Sequence, residues 1–126
     1  MTFPDNVRYT KDHEWVRVEG STGTVGITDY AQGELGDIVF VVLPGIGKKV
    51  KQGESFGSVE AVKAVSDLYA PVSGEIIGVN PDLEKKPEIV NKDPYGAGWM
   101  INIKIGNAVE MNSLLDAARY KELVGK

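Results

Sequence analysis

The chain has 126 residues, a formal net charge of −4, one histidine and no cysteine. Its length is sufficient for one domain with its own core, and its acidic balance argues against a nucleic-acid binder, which usually carries a basic excess. The composition excludes disulfides, cysteine metal sites and multi-histidine metal centres. The sequence shows neither a membrane-spanning run nor the apolar core of a signal peptide. We therefore expect a cytoplasmic protein that does not bind membranes.

Short apolar runs between glycine and proline residues predict a mostly β fold. The segments "EWVRVEG" and "TGTVGIT" are typical of a hairpin that turns at 20–23. Residues 28–37 then predict a short helix, which Thr28 caps and which ends near Gly36.

The segment "DIVFVVLPG", residues 37–45, favours a strand more strongly than any other part of the chain. Its unbroken apolar run predicts burial on both faces. We therefore expect four large side chains to belong mainly to the core: Trp15, Val39, Phe40 and Ile103. Because truncating a core Phe to Ala costs about 3–5 kcal/mol, Phe40→Ala is expected to lower the stability.

Further short elements are predicted in the second half of the chain. One strand is expected near Val50 and another at 75–79. Pro81 and Pro87 each stand where a helix can begin. The segment "WMINIKI" alternates as a strand with one buried face does.

The C-terminal segment at 113–124 predicts a helix. Ser113 and Asp116 are both suited to cap it, and the residues alone do not decide between them. Because no linker or internal repeat interrupts the chain, we expect residues 1–126 to form a single, mostly β domain with a C-terminal helix.

The segment "GSVEAVKAVSDLYAPVSG", residues 57–74, carries one cation, Lys63, among small and apolar residues. Its valines recur roughly at helical spacing, yet β-branched residues bounded by glycine and proline also favour two strands that meet at a turn. The central "AVKA" lacks the Asn, Asp or Gly that tight hairpin turns prefer. The residues alone favour the hairpin only slightly, and a lysine in such a run is usually a solvated surface charge.

Four segments lead to a family resemblance: "YTKDHEWV", "GITDYAQGELGDIVFVVLP", "GESFGSVEAVKAVSDLYAPVSGEI" and "VNKDPYGAGWM". In their order and spacing the chain resembles the glycine cleavage system H-protein family, from Tyr9 to the C-terminal helix. The resemblance implies a barrel-sandwich hybrid, two small antiparallel sheets packed face to face, with a lysine-bearing hairpin at about 54–76. It also implies that Lys63 carries lipoate in amide linkage. Glu60 is expected to guide the modifying enzyme, although Ala61 stands where the family usually has serine.

The resemblance implies a lipoate-bearing shuttle of the glycine cleavage system that catalyses no step itself. The implied partners are glycine decarboxylase (P protein), an aminomethyltransferase (T protein) and dihydrolipoamide dehydrogenase (L protein), together with a lipoate ligase or an octanoyl/lipoyl transferase. In this role the chain is expected to be monomeric. Acylation would remove the positive charge of Lys63, which would explain a lone cation in an apolar segment.

We expect the aminomethyl-loaded arm to fold back onto the surface near Glu14 and Asp67. A carboxylate there would hold the cargo's ammonium group by a charge-assisted hydrogen bond. Asp67 follows Lys63 by four residues, whereas Glu14 is included only because "HEWV" resembles the family's segment. Pro71 and Gly74 are expected to shape the exit from the hairpin.

Several alternatives remain open from the sequence. Biotin-carrier domains place methionine on both sides of the lysine, and lipoyl domains of 2-oxoacid dehydrogenases usually place Asp before it, whereas Lys63 lies between Val62 and Ala64. An H-like protein that relays lipoate to other lipoyl enzymes is a closer alternative. An enzyme that uses His13 with acidic residues, and a binding module with a peptide groove, are the alternatives from other classes.

Overall fold

The computed structural model describes residues 1–126, which form nine strands and four α-helices. The strands are β1 (Arg8–Tyr9), β2 (Glu14–Glu19), β3 (Thr22–Ile27), β4 (Ile38–Val42), β5 (Lys49–Val50), β6 (Ser55–Ala61), β7 (Val65–Tyr69), β8 (Gly74–Val79) and β9 (Ile101–Ile105). The helices are α1 (Asp29–Leu35), α2 (Asp82–Lys85), α3 (Ile89–Lys92) and α4 (Ala117–Val124), and a 3₁₀ helix spans Ala108–Ser113. None of these helices is long and apolar enough to span a bilayer.

The strands form two antiparallel sheets. One has six strands in the order β1-β2-β3-β9-β8-β5, and the other has three in the order β4-β6-β7. A core of 17 buried apolar residues draws on both sheets and on α2 and α3. The predicted architecture of two small sheets, short helices and a C-terminal helix is confirmed.

Local signals in the sequence determine where the helices begin and end. The Thr28 hydroxyl accepts a hydrogen bond from the Ala31 N–H at 3.1 Å and starts α1, which ends at Gly36 with a φ of 80° that favours glycine. Asp116, rather than Ser113, caps α4, because its carboxylate accepts from the Arg119 N–H at 2.9 Å. Ser113 ends the preceding 3₁₀ helix.

The prediction that β4 is buried on both faces is wrong. Val39 and Phe40 are 47% and 51% exposed, so neither belongs mainly to the core, whereas Ile38 and Val41 are buried. The strand lies at the edge of the three-stranded sheet, which has only one face against the core. An irregularity in its pairing with β6 between Ile38 and Phe40 also breaks the alternation of its side chains.

Trp15 and Ile103 are fully buried, as predicted, but in different clusters. Ile103 belongs to the main core. Trp15 belongs to a second cluster, in which α4 and the N-terminal segment cover the six-stranded sheet: Val7, Tyr9, Trp15, Ala117 and Tyr120. The Trp15 indole N–H donates to the Ile27 carbonyl at 2.9 Å, which satisfies its polar group in this apolar setting.

Candidate functional site

The lysine segment is a β-hairpin, which decides against the helix. β6 and β7 pair antiparallel up to Glu60 and Val65, and the Ala61 N–H donates to the Ala64 carbonyl at 2.7 Å. The paired arms span Ser55–Tyr69, within the range of 54–76 expected from the sequence. Because no tip residue has a positive φ, the turn does not need the Asn or Gly that "AVKA" lacks.

Lys63 lies at the tip of this hairpin with its side chain exposed. It forms no ion pair, since the single ion pair of the chain joins Arg17 and Glu19. Its stem lies beside Gly36, at the end of α1. If Gly36 carried a β-carbon, that atom would lie 3.5 Å from Lys63 Cε and 4.0 Å from Lys63 Nζ.

A cavity of about 270 Å³ lies between α1, β7 and the start of β2. Its apolar wall consists of Ile27, Ala31, Leu35, Val59 and Leu68. Its polar groups are Asp12, His13, Glu14, Tyr30, Glu34, Ser66 and Asp67, and no lysine or arginine lines it. The structure therefore brings Glu14 and Asp67, which are distant in sequence, to one cavity.

Glu14 is only 2% exposed. Its Oε1 accepts a hydrogen bond from the Thr10 hydroxyl at 2.7 Å, and its Oε2 accepts a longer one from the Tyr69 N–H at 3.4 Å. Burial without a basic partner raises the pKa of Glu14 to about 8, although the Thr10 hydrogen bond opposes the shift. A buried carboxyl of this kind is neutral over much of the physiological pH range.

The two other acidic residues singled out from the sequence differ in position. Asp67 is exposed and stands at the rim of the cavity. Glu60 is also exposed, but it lies opposite Phe40 and Val65 on neighbouring strands and does not line the cavity. Since directly paired residues share a face, Glu60 belongs to the outer face of the three-stranded sheet, close to Lys63.

Sequence reasoning missed a hydrogen-bonded chain behind the cavity. The Tyr120 hydroxyl lies 2.8 Å from His13 Nδ1 and 2.7 Å from the Thr28 hydroxyl, so α4 braces both the cavity wall and the cap of α1. His13 has a φ of 72°, and burial lowers its pKa. The His13 imidazole is therefore uncharged at neutral pH, and it forms part of the cavity wall.

Tyr30 and Glu34 were also missed as cavity residues. Their spacing of four residues on the predicted helix at 28–37 was a usable signal, because such residues share one helix face.

The family model described as "Glycine cleavage H-protein" matches residues 7–126. The chain belongs to the glycine cleavage H-protein family. It is 56% identical over 124 residues to the glycine cleavage system H protein of Bacteroides fragilis, covering 98% of each chain. It is 53% identical over 126 residues to that of Staphylococcus carnosus, covering all of both.

A solved structure agrees with this family membership. The crystal structure of a glycine cleavage system H protein from Mycobacterium marinum superimposes with a TM-score of 0.87 at 42% identity, covering 98% of this chain and 99% of that one. The resemblance stated from the sequence and the barrel-sandwich fold are confirmed. The predicted role of this member of the H-protein family, as a lipoate-bearing shuttle of the glycine cleavage system, is also confirmed.

Proposed function

We propose that Lys63 is the lipoyl attachment site of this carrier. The single observation that carries the proposal is an exposed, unpaired amine at the tip of a hairpin whose backbone is held in place. Ala64, next to Lys63, is exposed and small, which leaves room for a modifying enzyme to reach the amine, whereas Ala61 is buried beneath the tip. Lys49 lies instead on the short strand β5, with Lys48 and Lys51 on either side of that strand, and none of the three is at a hairpin tip.

The residues present fit a lipoyl group. When bound, lipoate supplies a dithiolane that can accept the aminomethyl group and electrons. The lysine stem and lipoyl chain amount to about ten single bonds, with a reach on the order of 14 Å. Lys63 lies at the Gly36 end of α1, and the seven residues of α1 span about 10 Å. A group of that reach would therefore span from Lys63 to the cavity wall at Tyr30.

We propose that the loaded arm rests in the cavity that Glu14 and Asp67 share. Three features support this resting place. The apolar wall suits a hydrocarbon chain, the carboxyl groups suit an ammonium group, and no basic residue opposes it. The volume is close to the lower end of the range for small-ligand sites, about 300–1,000 Å³.

The proposed partners are those of the glycine cleavage system: glycine decarboxylase, the aminomethyltransferase and dihydrolipoamide dehydrogenase. A lipoate ligase or an octanoyl/lipoyl transferase would modify Lys63. Membership of the H-protein family supports these partners. We further propose that the chain catalyses no step itself, and that it works in the cytoplasm, as its bacterial relatives would lead one to expect.

The deciding experiment measures release of carbon dioxide from glycine by a purified glycine decarboxylase. Lipoylated chain should support a rate that rises with its concentration and saturates, whereas unlipoylated chain should support none. A Lys63→Arg variant, which keeps the charge but is not expected to be acylated, should behave like the unlipoylated chain. Equal rates with the lipoylated and unlipoylated chains would reject the carrier role.

A further inference from the structure

The Asn91 side chain joins three segments of the chain through one amide group. Its Oδ1 accepts a hydrogen bond from the Ile38 N–H at 2.9 Å. Its Nδ2 donates to the Gly36 carbonyl at 2.8 Å and to Gln32 Oε1 at 2.9 Å. Because the oxygen and both N–H groups are engaged, the amide bridges α3, on which it lies, to α1 and to the start of β4.

Asn91 is held in place by the core. Its neighbour on α3, Val90, is fully buried in the main core, and the Asn91 N–H donates to the Glu88 carbonyl at 3.1 Å. The Asn91 side chain is half-buried, whereas Asp37, in the connection between α1 and β4, is exposed. Asn91 is therefore a fixed point against which this more exposed connection is held.

The connection between α1 and β4 depends on a partner outside itself. It consists of Gly36 and Asp37. Gly36 has a φ of 80° and a ψ of −153°, a conformation that is essentially restricted to glycine. Its carbonyl lies past the last turn of α1, where the helix offers no N–H group to bind it. The Asn91 amide supplies that missing donor.

One peptide group links Asn91 to the lysine hairpin. The Asp37 carbonyl and the Ile38 N–H belong to the same planar, trans peptide group and point in opposite directions. The N–H donates to Asn91 Oδ1, and the carbonyl accepts from the Val62 N–H at 3.1 Å. Val62 immediately precedes Lys63. Two hydrogen bonds and one peptide group therefore connect the Asn91 amide to the backbone at the hairpin tip.

We propose that Asn91 is a positioning residue for Lys63, and this rests on the proposed lipoyl attachment there. Asn91 fixes the peptide between Asp37 and Ile38, and that peptide fixes the backbone from which Lys63 projects. An enzyme binds a root that is already held in place at a lower entropic cost than a mobile one. Without Asn91, a smaller fraction of the chain presents the tip correctly, and its apparent affinity for the enzyme falls by that fraction. The amine itself is unchanged, so the reaction rate of the bound chain is retained.

Asn80 offers a matched control, because its side chain makes the same kinds of hydrogen bond elsewhere. Its Oδ1 accepts from the Asp82 N–H at 3.1 Å, and its Nδ2 donates to the Ala97 and Trp99 carbonyls, both at 2.8 Å. Asn80 is also buried, so its replacement should disturb the fold at least as much as replacement of Asn91. None of its partners belongs to the α1–β4 connection or to the lysine hairpin.

The first measurement is amide hydrogen exchange at Val62, followed by NMR in the unlipoylated chain well below its melting temperature. The variants are Asn91→Asp, Asn91→Ala and Asn80→Asp. Aspartate keeps the shape of asparagine, but when ionised it cannot donate to the Gly36 carbonyl, and alanine removes all three bonds without adding a charge. We expect the Val62 N–H to exchange about three- to tenfold faster in both Asn91 variants and at the wild-type rate in Asn80→Asp.

The second measurement is steady-state lipoylation of the same proteins by a purified lipoate ligase with free lipoate and ATP. The concentration of the chain is varied, so that KM for the chain and kcat are obtained separately. In both Asn91 variants KM should rise about three- to tenfold, while kcat stays within about twofold of the wild-type value. Asn80→Asp should retain the wild-type KM.

Three results would overturn the proposal. The first is wild-type exchange at Val62 in both Asn91 variants. The second is a raised KM with unchanged Val62 exchange, which would make Asn91 a direct contact of the ligase. The third is an equal rise of KM in Asn80→Asp, which would point to general loosening of the fold. A wild-type chain that the ligase leaves unmodified would instead reject the proposed role of Lys63, and Val62 exchange would still decide the role of Asn91.

Discussion

The Val62 N–H donates to the Asp37 carbonyl at 3.1 Å, which ties the tip of the lysine hairpin to the connection between α1 and β4. This bond holds the arm's proposed root next to the end of α1, the helix that lines the cavity. The backbone at Lys63 is therefore held relative to the cavity, while its side chain is exposed to solvent. A carrier needs this combination, because the arm must move but must also return to one place.

We expect Lys63→Ala to abolish lipoylation completely. Protein produced in lipoate-supplied cells should show a lipoyl mass on the wild type and none on the variant, because the amine that forms the amide is gone. Lys49→Ala, which changes an exposed lysine on β5, should be lipoylated like the wild type. A lipoyl mass on Lys63→Ala would disprove the assignment.

Glu60→Gln should slow lipoylation while leaving the melting temperature almost unchanged. The side chain is exposed on the outer sheet face and makes no hydrogen bond or ion pair within the chain, and substitutions at such sites are usually within about 0.5 kcal/mol of neutral. Lipoylation rate and thermal unfolding should be measured on the same samples, with Glu122→Gln as an exposed control on α4, which packs against the other sheet. A clear loss of stability with normal lipoylation would contradict the predicted role.

Local signals account for the parts of the fold that the sequence predicted well. The cap at Thr28 and the glycine at position 36 mark the ends of α1 through backbone chemistry that involves only near neighbours. The hairpin of β6 and β7 was favoured only slightly by its residues, because its tip lacks the usual turn residues. Its assignment therefore came from the family resemblance.

Burial was harder to predict because it depends on partners distant in sequence. The apolar residues of β4 predict a strand buried on both faces. The strand lies at the edge of its sheet, however, and the order of strands in a sheet is set by the topology rather than by local sequence. The same holds for Glu14, whose burial comes from packing between β2, β7 and α1. No local pattern around "HEW" distinguishes this carboxyl from an exposed one.

The correction to β4 leads to a comparison of two phenylalanines. Phe40→Ala should cost less than about 1 kcal/mol, because the ring is 51% exposed, whereas Phe56→Ala should cost about 3–5 kcal/mol, because that ring is 2% exposed in the main core. Both values come from denaturant unfolding of the purified variants. Equal losses in the two variants would show that β4 packs more tightly than its exposure indicates.

Tyr120→Phe should lower the free energy of unfolding by about 1–3 kcal/mol. The change removes a buried hydroxyl that contacts both His13 Nδ1 and the Thr28 hydroxyl, and it leaves those groups without this partner. Tyr69→Phe is the control, since its hydroxyl makes no hydrogen bond within the chain. If both variants unfold at the same denaturant concentration as the wild type, the hydroxyl does not brace the cavity wall.

The stability of the chain should depend on pH through Glu14, even without lipoate. The pKa of this carboxyl is raised from 4.5 to about 8 in the folded state, so the folded chain binds the proton more tightly than the unfolded chain. Its contribution to stability is fully present below pH 4.5 and is lost as the pH rises through about 8.

Between those values the free energy of unfolding of the wild type should therefore fall, relative to that of Glu14→Gln, by up to a few kcal/mol. The glutamine keeps the shape of the neutral carboxyl but cannot ionise, so its own curve lacks this slope. His13 contributes in the opposite direction, since burial lowers its pKa, but it does so equally in both proteins. Denaturant unfolding at a series of pH values gives both curves, with Glu19→Gln as the exposed control on the same strand. Parallel curves for the wild type and Glu14→Gln would show that the carboxyl is ionised in the folded chain at neutral pH, and the cavity would then hold a permanent negative charge.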